Sequence, residues 1–449
     1  MLTLWDAKHA GRGAGCTRRN FLRVGALGLG GLTLADLLRH EAHGGKAGRP
    51  KSVIYVVLSG GPSHIDMYDL KPEAPLDYRG PFRPIATRVP GVQICEHLPL
   101  EAQIFDQLAL LRGVRSVESD HFLSEVYTGL PRTAGARPAF GSVASRLAKT
   151  GAALPAYVSL GKQAAGGFDF ERAYYVGAAH GPFRPFGDAL DDMNPVKDLD
   201  HLHDRKRLLA AFDSLRRKAD KQLDGGASAG LDRFQSQALE IIASPKVRDA
   251  FDLSQEPEHL LSEYGHKAGK YPHQTVKNIF YDWDARPFLL ARRLVEAGVR
   301  VVTLRDGEWD HHGGPRSDIF AALKMKMALL DRSLCALVND LKVRGLDQDV
   351  LVAVLGEFGR SPKIEAGPGR NHWPEAGCML FAGGGLRMGQ VIGETDSRAE
   401  RAKSGRIGFQ NVMATVYHVL GIDPKVALPD FRGRPQYLLD DGEPIAELL

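Results

Sequence analysis

Three continuous apolar runs limit what this chain can become: Ser52–Leu58 reads SVIYVVL, Val299–Leu304 reads VRVVTL and Val350–Leu355 reads VLVAVL. β-Branched residues dominate them without regular polar alternation, as in strands covered on both faces. Helical patterns separate them. Pro287–Ala297 is a predicted helix stopped by Gly298. Ile319–Arg344 is a long amphipathic one, with Leu323, Met327, Leu330, Leu334 and Leu337 at helical spacing. Further predicted strands are Leu108–Val114, Ala156–Leu160 and Met379–Ala382. Further predicted helices are Leu98–Gln107, Asp120–Tyr127 ending at Thr128-Gly129, Phe140–Thr150, and Asn411–Leu420 closed by Gly421. This alternation predicts an α/β fold: a doubly wound, mostly parallel sheet with helices on both faces. Residues 202–268 are helical in pattern, polar and charged, so a helical insertion is expected over about 200–285 of one domain running from 50 to 449.

The first 45 residues read as an export signal and linker. Thr17-Arg18-Arg19-Asn20-Phe21-Leu22-Arg23 carries paired arginines, followed by the small-residue apolar run Val24–Leu34. This is the pattern of a bacterial signal that selects the twin-arginine (Tat) route. The run is too short and too glycine-rich to cross a membrane, so no transmembrane span is expected in the mature chain. The expected location is the periplasm or cell surface, with the Tat machinery as a partner. Four cysteines occur, and Cys16 lies in the signal. The remaining Cys95, Cys335 and Cys378 are widely spaced and form neither a disulfide framework nor a zinc-cysteine motif. The formal charge of +4 gives no reason to expect nucleic-acid binding.

Chemistry concentrates where predicted strands end. His64-Ile65-Asp66 follows the first run across a glycine turn. Glu308-Trp309-Asp310-His311-His312 follows the second, and Gly356-Glu357-Phe358-Gly359-Arg360 the third. Arg370-Asn371-His372-Trp373-Pro374 lies just before a strand. Loops at the carboxyl ends of parallel strands converge on one site, and carboxylates and imidazoles gathered there suit a divalent metal. His64, Asp66, Asp310, His312, Glu357 and His372 are the candidate ligands, for zinc or calcium. Adjacent histidines do not easily both point inward, so His311 is the weaker partner of His312. Arg360, Lys363 and Arg370 are candidates to hold a substrate anion. Ser119 and His121, in the segment Ser116–His121, complete the catalytic candidates with Arg360. A serine at a helix N-terminus beside a metal can serve as a nucleophile. Structural alternatives exist for each: a helix-capping Asp66, a buried Glu357–Arg360 ion pair, an N-cap at Ser119 or Asp120.

These segments carry a resemblance. The chain is similar to the Tat-exported family 1501 of domains of unknown function, grouped with the alkaline phosphatase and sulfatase superfamily. The matching stretches are GGPSHIDMYDLKP (60–72), the Asp-His segment ending in Thr-Gly (119–129), GVRVVTLRDGEWDHHG (298–313), GEFGRSPK with GRNHWP (356–374) and GGGLRMGQVIGETD (383–396). The resemblance implies a phosphate or sulfate ester site with one or two metals at the carboxyl edge of the sheet. Asp310 and His312 look like a metal pair, and His372 resembles the superfamily's late histidine. Glu357 stands where the superfamily has an Asp-His pair, and Ser119 falls near the sulfatase nucleophile. Departures are plain. Ser119-Asp120-His121-Phe122-Leu123 lacks the Pro and Arg needed to make formylglycine. Phe358 replaces a histidine after Glu357, and Ser59-Gly60 ends the first strand where phosphatases carry an aspartate. The expected function is a metal-dependent hydrolase of small-molecule or polysaccharide esters. The alternative is a non-catalytic exported protein of the same fold that binds surface polysaccharide or a protein partner.

Overall fold

The computed structural model describes residues 51–148, 154–161, 170–185, 249–265, 269–272, 280–307, 309–313, 318–365, 367–404 and 407–449. The signal, its twin arginines and most of the helical pattern over 202–268 lie outside the described residues.

Seven strands make the central sheet: β1 Ser52–Leu58, β2 Leu108–Arg112, β3 Tyr157–Ser159, β4 Val301–Asp306, β5 Val350–Leu355, β6 Cys378–Gly383 and β7 Gln390–Ile392, in the spatial order β7-β2-β6-β5-β1-β4-β3. β1 lies parallel between β4 and β5, with Val53 opposite both Val301 and Leu351. Only β6 runs against its neighbours β2 and β5. The sheet is therefore mostly parallel, as the apolar runs require.

Why the runs are continuous shows in β1. Ile54, Val56 and Leu58 enter one apolar core, while Val53, Tyr55 and Val57 enter the other. The first core is closed by helices α4 (Arg286–Ala297) and α5 (Ile319–Val343). The second is closed by α1 (Ser124–Thr128), α2 (Phe140–Leu147) and α6 (Phe409–Leu420). Helix ends follow the local chemistry. Asp318 caps α5 by accepting from the amides of Phe320 and Ala321 at 2.9 and 3.0 Å. α4 and α6 stop at Gly298 and Gly421, both left-handed.

Two expected helices are shorter than their patterns. The stretch 98–107 splits into a helix at Pro99–Gln103 and a 3₁₀ turn at Phe105–Gln107. The stretch 120–127 becomes helical only from Ser124, which leaves Ser119–Leu123 as a loop. The described part of the insertion contains helix α3 (Glu258–Tyr264) and an antiparallel ladder, Gly269–Pro272 with Phe280–Trp283. Among the described residues no helix is long and apolar enough to cross a membrane.

Candidate metal centre

Because β6 is reversed, its start lies at the same sheet edge as the ends of β1, β2, β4 and β5. Each contributes a loop there. The loop after β2 brings His121, the loop after β4 brings Asp310 and His312, and the approach to β6 brings His372. One ligating atom from each of these four lies within 4.8 Å of all the others. Two local devices set the spacing. A short ladder pairs Gly359 with Trp373 and Arg360 with His372, which fixes His372 beside the β5 loop. Gly369 packs so closely that a Cβ there would lie 2.1 Å from the His312 carbonyl carbon. Only glycine lets that strand of backbone pass behind His312.

The imidazoles arrive already oriented. His372 Nδ1 donates to the Ser119 carbonyl at 2.8 Å, and His312 Nδ1 donates to Asn371 Oδ1 at 3.0 Å. A carbonyl or amide oxygen accepts only, so in both rings the proton sits on Nδ1 and Nε2 presents its lone pair. Those two Nε2 atoms face each other at 3.1 Å, and they lie 2.7 and 3.2 Å from Asp310 Oδ1. Three lone-pair donors thus converge on one point, an arrangement that needs a proton or a cation between them. His121 repeats the pattern. Its Nδ1 meets the buried Glu357 Oε1 at 2.8 Å. Its Nε2, 3.1 Å from Asp310 Oδ2, is buried and makes no hydrogen bond. A ring nitrogen held by an acceptor while the other faces the site is how proteins aim histidine ligands at metals. Three imidazole nitrogens and one carboxylate fit a borderline transition metal such as zinc. Calcium takes oxygen ligands.

Electrostatics agree. Burial pulls the His121 pKa down, but the Asp310 and Glu357 carboxylates outweigh it and raise it to about 9. Burial acts upward on Asp310, yet His121, His372 and Arg360 hold its carboxyl well below the usual range. Phe358 walls the site, its ring centroid 4.4 Å from that of His372.

The other expected site residues stand elsewhere or play other parts. Asp66 is fully buried and grips Arg370 by a two-pronged pair at 2.7 and 2.9 Å, with Ser63 Oγ 2.5 Å away. His64 sits behind the site. Its Nε2 donates to the Ala399 carbonyl at 3.0 Å, and its Nδ1 accepts from the Arg360 amide at 3.3 Å. Neither joins the ligand cluster, because their one-turn helix, His64–Met67, packs its side chains into the interior. Glu357 reaches the centre only through His121, and its Oε1 also accepts from the Gly60 amide at 2.8 Å. Arg360 is buried, donating to the Gly61 and Arg370 carbonyls and to Asp310. Arg370 is equally buried, and besides Asp66 it bonds the Ser361 and Tyr78 carbonyls. Neither guanidinium is open to a substrate anion, whereas Lys363 is exposed. Ser119 is exposed beside the cluster. His311 is buried outside the four-residue group. Sequence reasoning missed Asn371, which orients His312. Its position beside His372 was the available signal.

The model for "Protein of unknown function (DUF1501)" matches residues 50–449. The chain belongs to that family. No curated protein matches the sequence. Among solved structures, DUF1501 residues here resemble the PsFucS1 sulfatase from Pseudoalteromonas sp., at 11% identity and TM-score 0.37, over 86% of this chain and 70% of that one. They also resemble the lipoteichoic acid synthase LtaP from Listeria monocytogenes, at 11% identity and TM-score 0.33, over 84% of this chain and 73% of that one.

Proposed function

We propose that this DUF1501 protein is a metal-dependent hydrolase of phosphate or sulfate esters, working outside the cytoplasm. The observation that carries the reading is the convergence of His121, Asp310, His312 and His372, with every imidazole's other nitrogen already held by an acceptor. These four would hold the ion, and zinc suits their donor set better than calcium. A divalent ion there supplies Lewis-acid polarisation of an ester oxygen and a lowered pKa for a nucleophile. Glu357 keeps His121 in its ligating tautomer and Asn371 does the same for His312. Ser119, exposed and tied to His372 through its own carbonyl, is the proposed nucleophile, with a water as the other option. Lys363 remains the candidate for the substrate's negative charge. The twin arginines of the signal support export by the Tat machinery to the periplasm or cell surface.

A second reading has one specific support: Arg360 and Arg370 are spent on backbone carbonyls and aspartates, leaving the site short of buried positive charge for a leaving anion. A non-catalytic metal protein would look like this. The deciding experiment measures metal content and turnover on a panel of aryl phosphates and aryl sulfates. Metal-dependent turnover of either ester, lost in Asp310→Ala, supports the hydrolase. Stoichiometric metal with no turnover on any ester leaves the binding protein.

A further inference from the structure

His64 stands outside the ligand cluster, yet it is buried and its ring is held at both nitrogens. Nε2 meets the Ala399 carbonyl, which only accepts. Nδ1 meets the Arg360 amide, which only donates. The two partners therefore fix one neutral tautomer, with the proton on Nε2 and the Nδ1 lone pair turned to Arg360. Burial, outweighing the nearby Asp69 carboxylate, holds the imidazole pKa below its usual value and keeps that lone pair unprotonated.

Both partners are themselves built in. Ala399 is fully buried at φ 58°, a left-handed conformation uncommon outside glycine. Its turn is tied by Asp396, which accepts from the amides of Arg398 and Glu400 at 3.1 and 2.8 Å. Trp373 Nε1 ties it again, donating to the Glu400 carbonyl at 2.8 Å. On the other side of the ring the backbone at Gly359 lies so close that a Cβ would stand 2.5 Å from His64 Nδ1. One short segment thus holds Arg360 twice: His64 takes its amide, and the carbonyls of Gly60 and Gly61 take its guanidinium.

What His64 holds reaches the cluster by two routes. The strand Gly359–Arg360 pairs with His372–Trp373, Arg360 opposite His372, and the Arg360 side chain bonds Asp310 Oδ1 at 2.5 Å. Displacing that strand would move one imidazole and one carboxylate of the four together. We propose that His64 is a positioning residue: as the acceptor for the Arg360 amide, it sets the placement of Asp310 against His372 on which metal affinity depends. The proposal deepens the metal-centre reading above and rests on it. A ring kept for packing alone would not need a strained, buried turn to fix its tautomer.

The test separates the two ring nitrogens. Asparagine carries its amide where Nδ1 of histidine lies and keeps an acceptor for Arg360. Glutamine carries its amide where Nε2 lies and keeps only the donor for Ala399. The full chain and its His64→Asn, His64→Gln and His64→Met variants are compared in two ways. One is hydrogen exchange of the metal-free protein, read by mass spectrometry over residues 357–373. The other is zinc affinity from chelator competition. His64→Gln and His64→Met are expected to exchange faster over 357–373, with β1 and β5 unchanged, and to bind zinc about 10–100-fold more weakly. His64→Asn is expected to stay close to wild type in both. His64→Met supplies the comparison if His64→Gln fails to fold. Unchanged exchange in these variants, equal losses in His64→Asn, faster exchange spread over the whole sheet, or unchanged zinc affinity despite faster exchange each overturns the proposal. If exchange changes as expected while the wild-type chain binds no zinc, the anchoring of Gly359–Arg360 by His64 stands and the metal-centre reading fails.

Discussion

Asp310 and Asp66 each sit against an arginine, yet different forces hold them. Asp66 is fully buried and finds complete partnership inside the protein, in Arg370 and Ser63. Removing it strands a buried guanidinium, so Asp66→Ala is expected to cost about 3–5 kcal/mol of stability. Metal content of the surviving folded protein should be unchanged. Asp310 is exposed and shares its oxygens among Arg360 and three imidazoles, the proposed partners of a cation. Asp310→Ala and His372→Ala should each abolish stoichiometric metal; His372→Ala should leave the melting temperature of the metal-free protein nearly unchanged, whereas Asp310→Ala, which also takes the carboxylate from the buried Arg360, should lower it. Elemental analysis beside thermal melts checks both. Full metal content with a sharply lowered melting temperature would show instead that Asp310 is a structural ion-pair partner. Glu357→Gln makes a finer prediction. Gln keeps an oxygen for His121 but loses the charge that favours its ligating form. Metal affinity, read by chelator competition, should fall about 10–100-fold. Unaltered affinity would make Glu357 only a packing residue.

At the level of elements, the loop after β2 carries both Ser119 and His121, and a carboxyl from α1 fastens it. Glu125 Oε2 accepts from the amides of Val117 and Glu118, each at 2.8 Å. Burial raises its pKa, the two amides lower it, and the balance lies at about 7 against 4.5 in the free side chain. The folded state therefore keeps a proton that the unfolded state gives up. The stabilisation is fully present below about pH 4.5 and is lost as pH rises through about 7. Glu125→Gln cannot lose that proton, so its melting temperature should gain on wild type from about pH 4.5 up to about 7 and level off above that. A constant difference across that range would mean that Glu125 titrates normally. The same loop shows what sequence reading reaches. Thr128-Gly129 marks the end of α1 because glycine accepts the left-handed turn there, φ 77°. The start of α1 was four residues out, since Asp120 caps nothing and instead bonds the His121 amide. Strands with continuous β-branched runs were legible because burial on both faces leaves no other composition. Asp66 was misread for a different reason: its partner Arg370 lies 304 residues away, and nothing near Asp66 announces it. Asp310, His312 and His372 were readable as chemistry but not as tautomers, since Asn371 and the Ser119 carbonyl set those from distant segments.

For the whole molecule, the proposed metal centre is a late product of folding. His372 and the carbonyl that orients it are 253 residues apart, and Glu357 and His121 are 236 apart. These contacts exist only after β2, β5 and β6 have assembled in one sheet, so a partly folded chain offers no site. The Tat route, proposed here from the twin-arginine segment, carries proteins already folded. The protein should therefore acquire its metal in the cytoplasm, before export. Replacing Arg18 and Arg19 with Lys is expected to hold it there, folded and with full metal content. Cell fractionation followed by elemental analysis of the retained protein reads both halves of the prediction. Finding the double variant outside the cytoplasm would remove the Tat assignment. Finding it retained, folded and metal-free would keep that assignment and place metal loading after translocation. That order would require His121, Asp310, His312 and His372 to stay open to solvent in the finished fold, as the exposed Asp310 and His312 permit.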